Sequence, residues 1–522
     1  MSHQGFLDDS TESLESSILY QNPSRTVIII DIPRSIANAQ GPTESARELF
    51  SVEPLEEPFA PTEPKSGEAR KNVAARNGVD LELVGKYATL IERAIEEVND
   101  SWRSQATGEQ AWAHKRRIRE GCAHVKGRGR KRKSDELEEI GNGKIEGSSN
   151  EVSTTQNYGP INGHQFPVGS VREDEIFFQK EERMQSVMKA VVDQERPETR
   201  PILEHPCHIY EARDEFISDE HDRHGGVWHN TLSENMVLSI NEQKSNKPSS
   251  SKPTPTLFHI PPLSTHILSD CADPSYLRTA VRESLTTTNN LRVFDFILLD
   301  PPWPNASAKR KSSYSTVSQL RALKRLLLDM DLDTYIPPSG YVGIWITNAP
   351  SVRNLVLGED GLFEAWNLTL VEEWIWVKTT RYGEPVTSVH GVWRKPYEVL
   401  LLGRAPANRL AIAAESGTER VVKRVMFGCP DWHSRKPCLK VLIEGLQMVK
   451  RDGRVLEIFA RHLVAGWWSW GDEVLKFNWE GYWTEGSSAS NDDDSIKNER
   501  RRPSTNLEAH KRTDAENNIS VT

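Results

Sequence analysis

Asp300, Pro301, Pro302 and Trp303 follow the apolar run "FDFILL" and place a carboxylate, two cyclic residues and a flat indole in consecutive positions. The prolines remove two backbone donors and restrict the backbone, so the Asp300 carboxylate and the Pro301 carbonyl can be held as a fixed pair of acceptors. Two rigid acceptors suit an aromatic amine, which has two hydrogens to donate. Trp303 offers a face on which a base can stack, a contact of about 1–3 kcal/mol. The exocyclic amine of adenine is a poor nucleophile because its lone pair is delocalised into the ring. Acceptors on both hydrogens favour a pyramidal nitrogen and turn the lone pair toward an electrophile. A single strand or a flipped-out base is needed to reach such a site. Taken alone, Asp-Pro-Pro after a strand is also an ordinary stiff turn.

The elements that must position these residues lie between about 257 and 485. Strand-like runs follow one another there: "LFHI", "FDFILLD", "GYVGIWITN", "LTLVEEWIWVK", "YEVLLLGR" and "GRVLEIFAR". Helical patterns intervene at 318–328 and 437–449, the second with Ser434 in its N-cap region and Pro437 in its first turn. Near-continuous apolar strands alternating with helices predict an α/β fold with a mostly parallel sheet covered on both faces. In such sheets ligands sit beyond the carboxyl ends of strands, where the strand order reverses. No G-x-G-x-x-G occurs. "WWSW" at 467–470 reads as packing material rather than a stacking platform.

The "DPPW" of 300–303 resembles the signature of the adenine-N6 methyltransferases related to the mRNA adenosine methyltransferase. The likeness extends through "IPPLSTHILSD", "GIWITN", "EEWIWVK", "RKPYEVLLLGR", "HSRKP", "LEIFAR" and "GWWSWGDEVLKF", in the order of the methyltransferase-like protein four branch. It covers roughly 257–485. It implies S-adenosylmethionine as methyl donor and a Rossmann-like sheet in permuted order, with the DPPW segment ahead of the cofactor strand. By this resemblance Asp270 lies beside the donor's adenine, Glu457 and Arg461 near its ribose and neighbouring groups, and Lys436 on its methionine carboxylate. Asp472 and Glu473 complete the cofactor set. Asp472 stands where the family more often has Asn, and an ionised Asp can accept from a ribose hydroxyl but cannot donate. Lys395 and Glu398 lie where the family shapes the pocket around donor and target base. Asn305, Lys309, Arg310 and Tyr314 are the implied substrate contacts, with the cations placed for backbone phosphate. The implied chemistry is direct attack of the amine on a sulfonium methyl, with neither metal nor covalent enzyme intermediate. The superfamily also contains partners that have lost the tetrad, so a nucleic-acid-binding scaffold subunit is the alternative. RNA (small nuclear RNA included) and DNA both stay open as substrate.

Outside that region the signals are coarser. A length of 522 residues suggests two to four domains, and 37% hydrophobic residues with a mean hydropathy of −0.59 predict long unstructured tracts. Residues 1–75 and 486–522 read as disordered, 76–199 as a helical accessory region, and 200–256 as an accessory segment ending in a linker. Helical spacing predicts helices over 81–102 and 173–194, whose apolar stripes must dock on each other, on the C-terminal domain or on a partner protein. The net charge of −10 hides a basic block at 114–134, which reads as a nuclear import signal or a nucleic-acid arm. No apolar run is long enough to span a membrane, and the N-terminus lacks the pattern of a signal peptide. Five scattered cysteines (122, 207, 271, 429 and 438) suit free thiols in a reducing compartment. Cys207, His208, His221, His224 and His229 match no closed four-ligand zinc spacing, and no metal is expected.

Overall fold

All four residues of the strand ahead of Asp300, Phe296–Leu299, are buried, which requires a sheet covered on both faces. A computed structural model of the chain describes residues 16–41, 47–61, 63–64, 66–76, 78–104, 112–118, 173–193, 207–211, 226–240, 255–288, 293–304, 314–408, 420–432, 435–449 and 453–484. In its N-terminal half lie β1 (Ile18–Gln21), β2 (Val27–Ile30), α1 (Ile32–Asn38), α2 (Gly67–Arg76), α3 (Leu81–Ser104), α4 (Glu173–Asp193), β3 (Cys207–Glu211), β4 (Val227–His229) and β5 (Met236–Ile240). Next come β6 (Thr256–Ile260), β7 (Thr265–Ile267), α5 (Ser275–Thr288), β8 (Phe296–Leu299), α6 (Tyr314–Asp329), β9 (Tyr341–Ile346), α7 (Pro350–Leu357) and α8 (Leu362–Ala365). The chain continues through β10 (Thr369–Lys378), β11 (Tyr397–Arg404), β12 (Val422–Gly428), α9 (Lys440–Gly445), β13 (Val455–Ile458) and β14 (Trp468–Trp470).

Eleven strands form the main sheet in the order β1-β2-β12-β10-β11-β9-β8-β13-β14-β7-β4. β11 pairs antiparallel with both β9 and β10, while β1 and β4 are antiparallel edges on an otherwise parallel sheet. At its centre β8 pairs in parallel with β9 on one side and β13 on the other. The chain leaves β8 toward β9 and leaves β13 toward β14, in opposite directions across the sheet. That divergence opens a crevice at the carboxyl ends of β8 and β13. It is also the permuted order: the strand preceding "DPPW" comes before its central neighbour in the chain.

Alternation along β8 assigns the two faces. Ile297 and Leu299 join a core with Ile344, Ile375, Phe427 and the α3 residues Tyr87, Ile91, Val98 and Trp102. Phe296 and Leu298 join the opposite core with Trp345, Trp374, Trp376 and the α4 residues Phe177, Met184 and Met188. The two predicted N-terminal helices therefore exist and pack their stripes on opposite faces of this sheet. Each fully buried large side chain contributes about 1.5–3 kcal/mol, enough to recruit both helices without contacts between them.

The expectation that 1–75 lacks structure is corrected by the described residues. β2 is an internal strand, parallel to β12 through Val27–Val425, Ile28–Met426 and Ile29–Phe427, and each of its residues is buried. Its signal, "TVIII", is short, and the Ser/Glu/Pro-rich surround obscures it. The main sheet accordingly reaches outside 257–485, to β1 and β2 at one edge and β4 at the other. "LFHI" is β6, but it belongs to a separate three-stranded sheet, β3-β5-β6. The 437–449 helix shrinks to α9, because the Cys438 N–H donates to the Ser35 hydroxyl of α1 (3.0 Å) and holds the approach in a non-helical path. No helix among the described residues is long and apolar enough to cross a membrane. The 486–522 tail and most of the basic block lie outside the described residues.

Candidate active site

Asp300 is the first residue beyond β8, and its N–H donates to the Ile458 carbonyl at the end of β13 (3.3 Å). It shares a face with Leu298, which pairs in register with Glu457. The strand periodicity of two therefore directs the Asp300 and Glu457 carboxylates into the same crevice. Phe459 then takes a positive φ of 61°, a sparsely populated backbone state for an aromatic residue, and turns the chain away from the crevice. Pro301 is buried and Pro302 exposed. The Pro301 carbonyl accepts the Trp303 N–H (2.8 Å), closing a tight turn. The Trp303 indole N–H donates to the Trp345 carbonyl of β9 (2.6 Å), so the ring is anchored at its edge and half-buried.

Lys436 enters from the segment between β12 and α9. Its ammonium lies 2.9 Å from each Asp300 oxygen and 3.2 Å from Glu398, while Lys378 holds the other Glu398 oxygen at 2.6 Å. Two carboxylates and two ammonium groups thus alternate along one wall. Burial opposes the Glu398 charge, but Lys436 and Lys378 prevail and bring its pKa down to about 2. Burial likewise works against the Lys436 charge, yet Asp300 and Glu398 raise its pKa above the ordinary value. Glu457 is treated oppositely. Burial, then the Asp300 charge, push it up to about 8, against weaker opposition from Lys436 and Arg461. The site therefore sets a firmly ionised Glu398 near a Glu457 carboxyl that keeps its proton at neutral pH.

Arg461 donates to Glu473 (3.0 Å), which also receives Lys476 (2.7 Å). Asp270 and Asp472 are exposed beyond β7 and β14, and Asp270 accepts the Ala272 N–H (2.9 Å). Burial, Glu473 and Asp270 together raise Asp472 above the ordinary carboxylate range. These acidic groups form a polar shelf at the carboxyl ends of adjoining parallel strands. Lys395 is half-buried, with burial lowering its pKa against the Glu63 charge.

The crevice is lined by Asp300, Trp345, Lys436, Glu457, Phe459, Arg461 and His462, among others. Of the predicted set it gathers Asp300, Lys436, Glu457 and Arg461; Glu398 joins through Lys436, and Glu473 through Arg461. Lys436, which the resemblance sets on the methionine carboxylate, bridges Asp300 and Glu398 here. Asn305, Lys309 and Arg310 lie outside the described residues, and Tyr314 opens α6 with its side chain outside them too. Arg435 and His462 also line the crevice and were not singled out in the sequence. Arg435 Nε and Nη2 and His462 Nε2 are buried there without a hydrogen-bond partner. The Arg435 groups are donors that suit an acceptor on a ligand, whereas His462, kept neutral by burial, offers either role at Nε2. Lys378 was missed as well, although it closes β10 as Asp300 closes β8, the same strand-end signal. Among the described residues no cluster of His, Cys, Asp and Glu is arranged to hold a metal ion.

Residues 294–473 match the MT-A70 family model. The N6-methyladenosine RNA methyltransferase MTA1 of Cryphonectria parasitica is 44% identical over 194 residues, covering 37% of this chain and 55% of that protein. The protein of the same name from Pyricularia oryzae is 37% identical over 240 residues, 45% of this chain and 58% of that one. Human N(6)-adenine-specific methyltransferase METTL4 is 33% identical over 240 residues, covering 45% of this chain and 46% of the human protein. The chain spans about half the length of these curated relatives. The 294–473 stretch that matches the MT-A70 model is the one that carries Asp300, Lys436 and Glu457 into one crevice.

Proposed function

We propose that the protein transfers a methyl group from S-adenosylmethionine to the N6 amine of adenine in nucleic acid, RNA being the first substrate to test because the two MTA1 relatives are named for it. The observation that carries this reading is the placement of Asp300-Pro301-Pro302-Trp303 at the carboxyl end of a central strand, beside a crevice whose buried wall presents unpartnered donors. The donor would rest between Glu457, Arg461 and the shelf of Asp270, Asp472 and Glu473, which offer acceptors to ribose hydroxyls and an adenine amine. Arg435 and Lys436 offer donors to a carboxylate. S-adenosylmethionine supplies an electrophilic methyl on a sulfonium when bound.

The chain's own residues then position the target. Each Asp300 oxygen receives Lys436 but retains a second acceptor site, and so does the Pro301 carbonyl beside the Trp303 N–H. An amine donating one hydrogen to each is aimed by a rigid turn, while Trp303 supplies a ring face. Lys436 keeps Asp300 paired before the substrate arrives, so the carboxylate is preorganised rather than solvated. After the nitrogen accepts the methyl it is far more acidic, and Asp300 is placed to receive the released proton.

The test is methyl transfer from labelled donor to single- and double-stranded RNA and DNA containing adenine. Asp300→Ala should abolish transfer and leave donor affinity within a few-fold. Full activity in that variant, or no transfer and no donor binding by the wild type, overturns the reading; donor binding without transfer to any substrate favours the scaffold alternative. Nuclear residence is proposed from the basic block alone, and cytoplasmic retention of a reporter carrying 114–134 would count against it.

A further inference from the structure

The loop between β10 and β11 displays two aromatic side chains in solvent. Tyr382 is 64% exposed and Trp393 60%, values that no packing requirement explains. The same loop carries Arg381, Arg394 and Lys395 against a single acidic residue, Glu384. Its two ends meet at the active site: the Lys378 N–H donates to the Pro396 carbonyl (2.7 Å), and Lys378 holds Glu398 (2.6 Å). Trp393 is therefore only five residues from a side chain that contacts Lys436.

The loop does not hold itself in place. The Glu63 carboxylate accepts the N–H groups of Val392 (3.0 Å), Trp393 (3.0 Å) and, more distantly, Arg394 (3.5 Å). Arg70 donates to the His390 carbonyl (2.8 Å), the Phe59 N–H to the Val386 carbonyl (2.9 Å), and the Arg381 N–H to the Leu55 carbonyl (2.8 Å). At the other shoulder Gly383 has φ +86° and lies so close to Trp112 that a Cβ would come within 2.1 Å of the indole. Leu55, Phe59, Glu63 and Arg70 thus clamp this loop along much of its length.

We infer that Leu55, Phe59, Glu63 and Arg70 act as a brace that presents Trp393 and Tyr382 as stacking platforms for the nucleotides flanking the target adenine of a single-stranded nucleic acid, with Glu63 as the positioning residue. The inference rests on the function proposed above and names the surface that would deliver its substrate. Aromatic faces exposed beside guanidinium and ammonium groups are the combination that grips unpaired bases and their phosphates. A duplex keeps its base faces stacked and cannot use them. Glu63 holds the loop through backbone hydrogen bonds, and its charge also supports the Lys395 ammonium. Its replacement should loosen the platform without touching the crevice.

The experiment uses the full chain and a single-stranded RNA of about 15 nucleotides with one adenosine among pyrimidines, alongside a copy whose nucleotides on either side of that adenosine are abasic. Trp393→Ala should raise the KM for the intact oligonucleotide at least fivefold and up to about a hundredfold, the range of one lost stacking contact. Trp393→Phe should recover most of that, and donor affinity should not change in either. Glu63→Gln should raise KM in the same direction with kcat within about twofold. The abasic copy, which forfeits both contacts, should bind the wild type more weakly than Trp393→Ala binds the intact one, with little further loss when the abasic copy meets Trp393→Ala. Additive losses, or an unchanged KM in Trp393→Ala with an active wild type, overturn the inference. A wild type that methylates no adenine overturns instead the proposed function, and oligonucleotide binding by the same variants still decides the platform.

Discussion

Replacing Glu457 by Gln removes a charge that the folded protein resists carrying. Burial and the neighbouring Asp300 raise this carboxyl from 4.5 to about 8. The unfolded chain releases the proton near pH 4.5, whereas the native state keeps it until about pH 8. Between those values the native state binds more protons, so stability falls as pH rises through the window and the loss is complete above it. At 1.36 kcal/mol per pH unit the full difference is bounded by about 5 kcal/mol, and partial solvent contact at this half-buried position reduces it to about 2–3 kcal/mol. Gln keeps the shape and has nothing to ionise. Glu457→Gln should therefore match the wild type in thermal stability near pH 4.5 and exceed it by about 5 °C near pH 8. Differential scanning calorimetry at intervals across that range is the assay. A difference that is flat with pH, or a variant less stable at pH 8, would refute the account of the Glu457 environment. A second readout tests the ligand side. If a cationic donor with ribose hydroxyls settles beside Glu457, binding at pH 7 should release a proton. Calorimetric titration in buffers of different ionisation enthalpy would detect the release, and Glu457→Gln would not show it.

Lys436→Met leaves Asp300 and Glu398 without their shared cation; the variant should lose about 2–4 kcal/mol of stability, measured by urea unfolding. Since Glu398 is held down to about 2, the stability it contributes is present above pH 4.5 and lost as pH falls toward 2. The gap between variant and wild type should narrow over that interval, and a gap independent of pH would assign the loss to packing. Tyr87→Phe removes an O–H that donates to the buried Glu373 of β10 (2.9 Å) and accepts from Arg353 (3.1 Å). It should cost about 1–2 kcal/mol and accelerate hydrogen exchange in α3 ahead of the central strands.

The central strands were legible because burial on both faces forces unbroken apolar runs, and β8, β9, β10, β11 and β13 all announce themselves that way. Asp300 and Lys378 could be read as functional candidates by one rule, a charged residue where such a run stops. β7 and β14 have three residues each and cannot display a period. β2 is a four-residue run among polar neighbours, and its partner β12 lies almost 400 positions away, so no local pattern links them. Pairing at that distance is a tertiary fact. The same holds for Lys436: its approach to Asp300 depends on β12 and α9 leaving the intervening segment over the crevice. A surface lysine beside a proline carries no such information. Glu63 had no signal at all, because what it binds is backbone.

The N-terminal strands set where a minimal folded fragment can begin. A fragment of 257–485 retains every residue of the 294–473 stretch and loses β1 to β5 and α1 to α4, β2 and α1 among them. β2 and α1 contribute Ile28, Ile29, Ile30, Ile32 and Ile36, all fully buried. At about 2 kcal/mol for each such side chain, these five alone account for about 10 kcal/mol, as much as the whole net stability of an ordinary domain. Their removal also leaves β12 as an open edge bearing Val425, Met426 and Phe427, an invitation to edge-to-edge association. The 257–485 fragment should consequently be aggregated or unfolded, while 16–484 should be monodisperse with a cooperative thermal transition. Size-exclusion chromatography and circular dichroism on the two fragments decide this. A soluble, cooperatively folding 257–485 fragment would mean that β2 decorates the sheet rather than completing it.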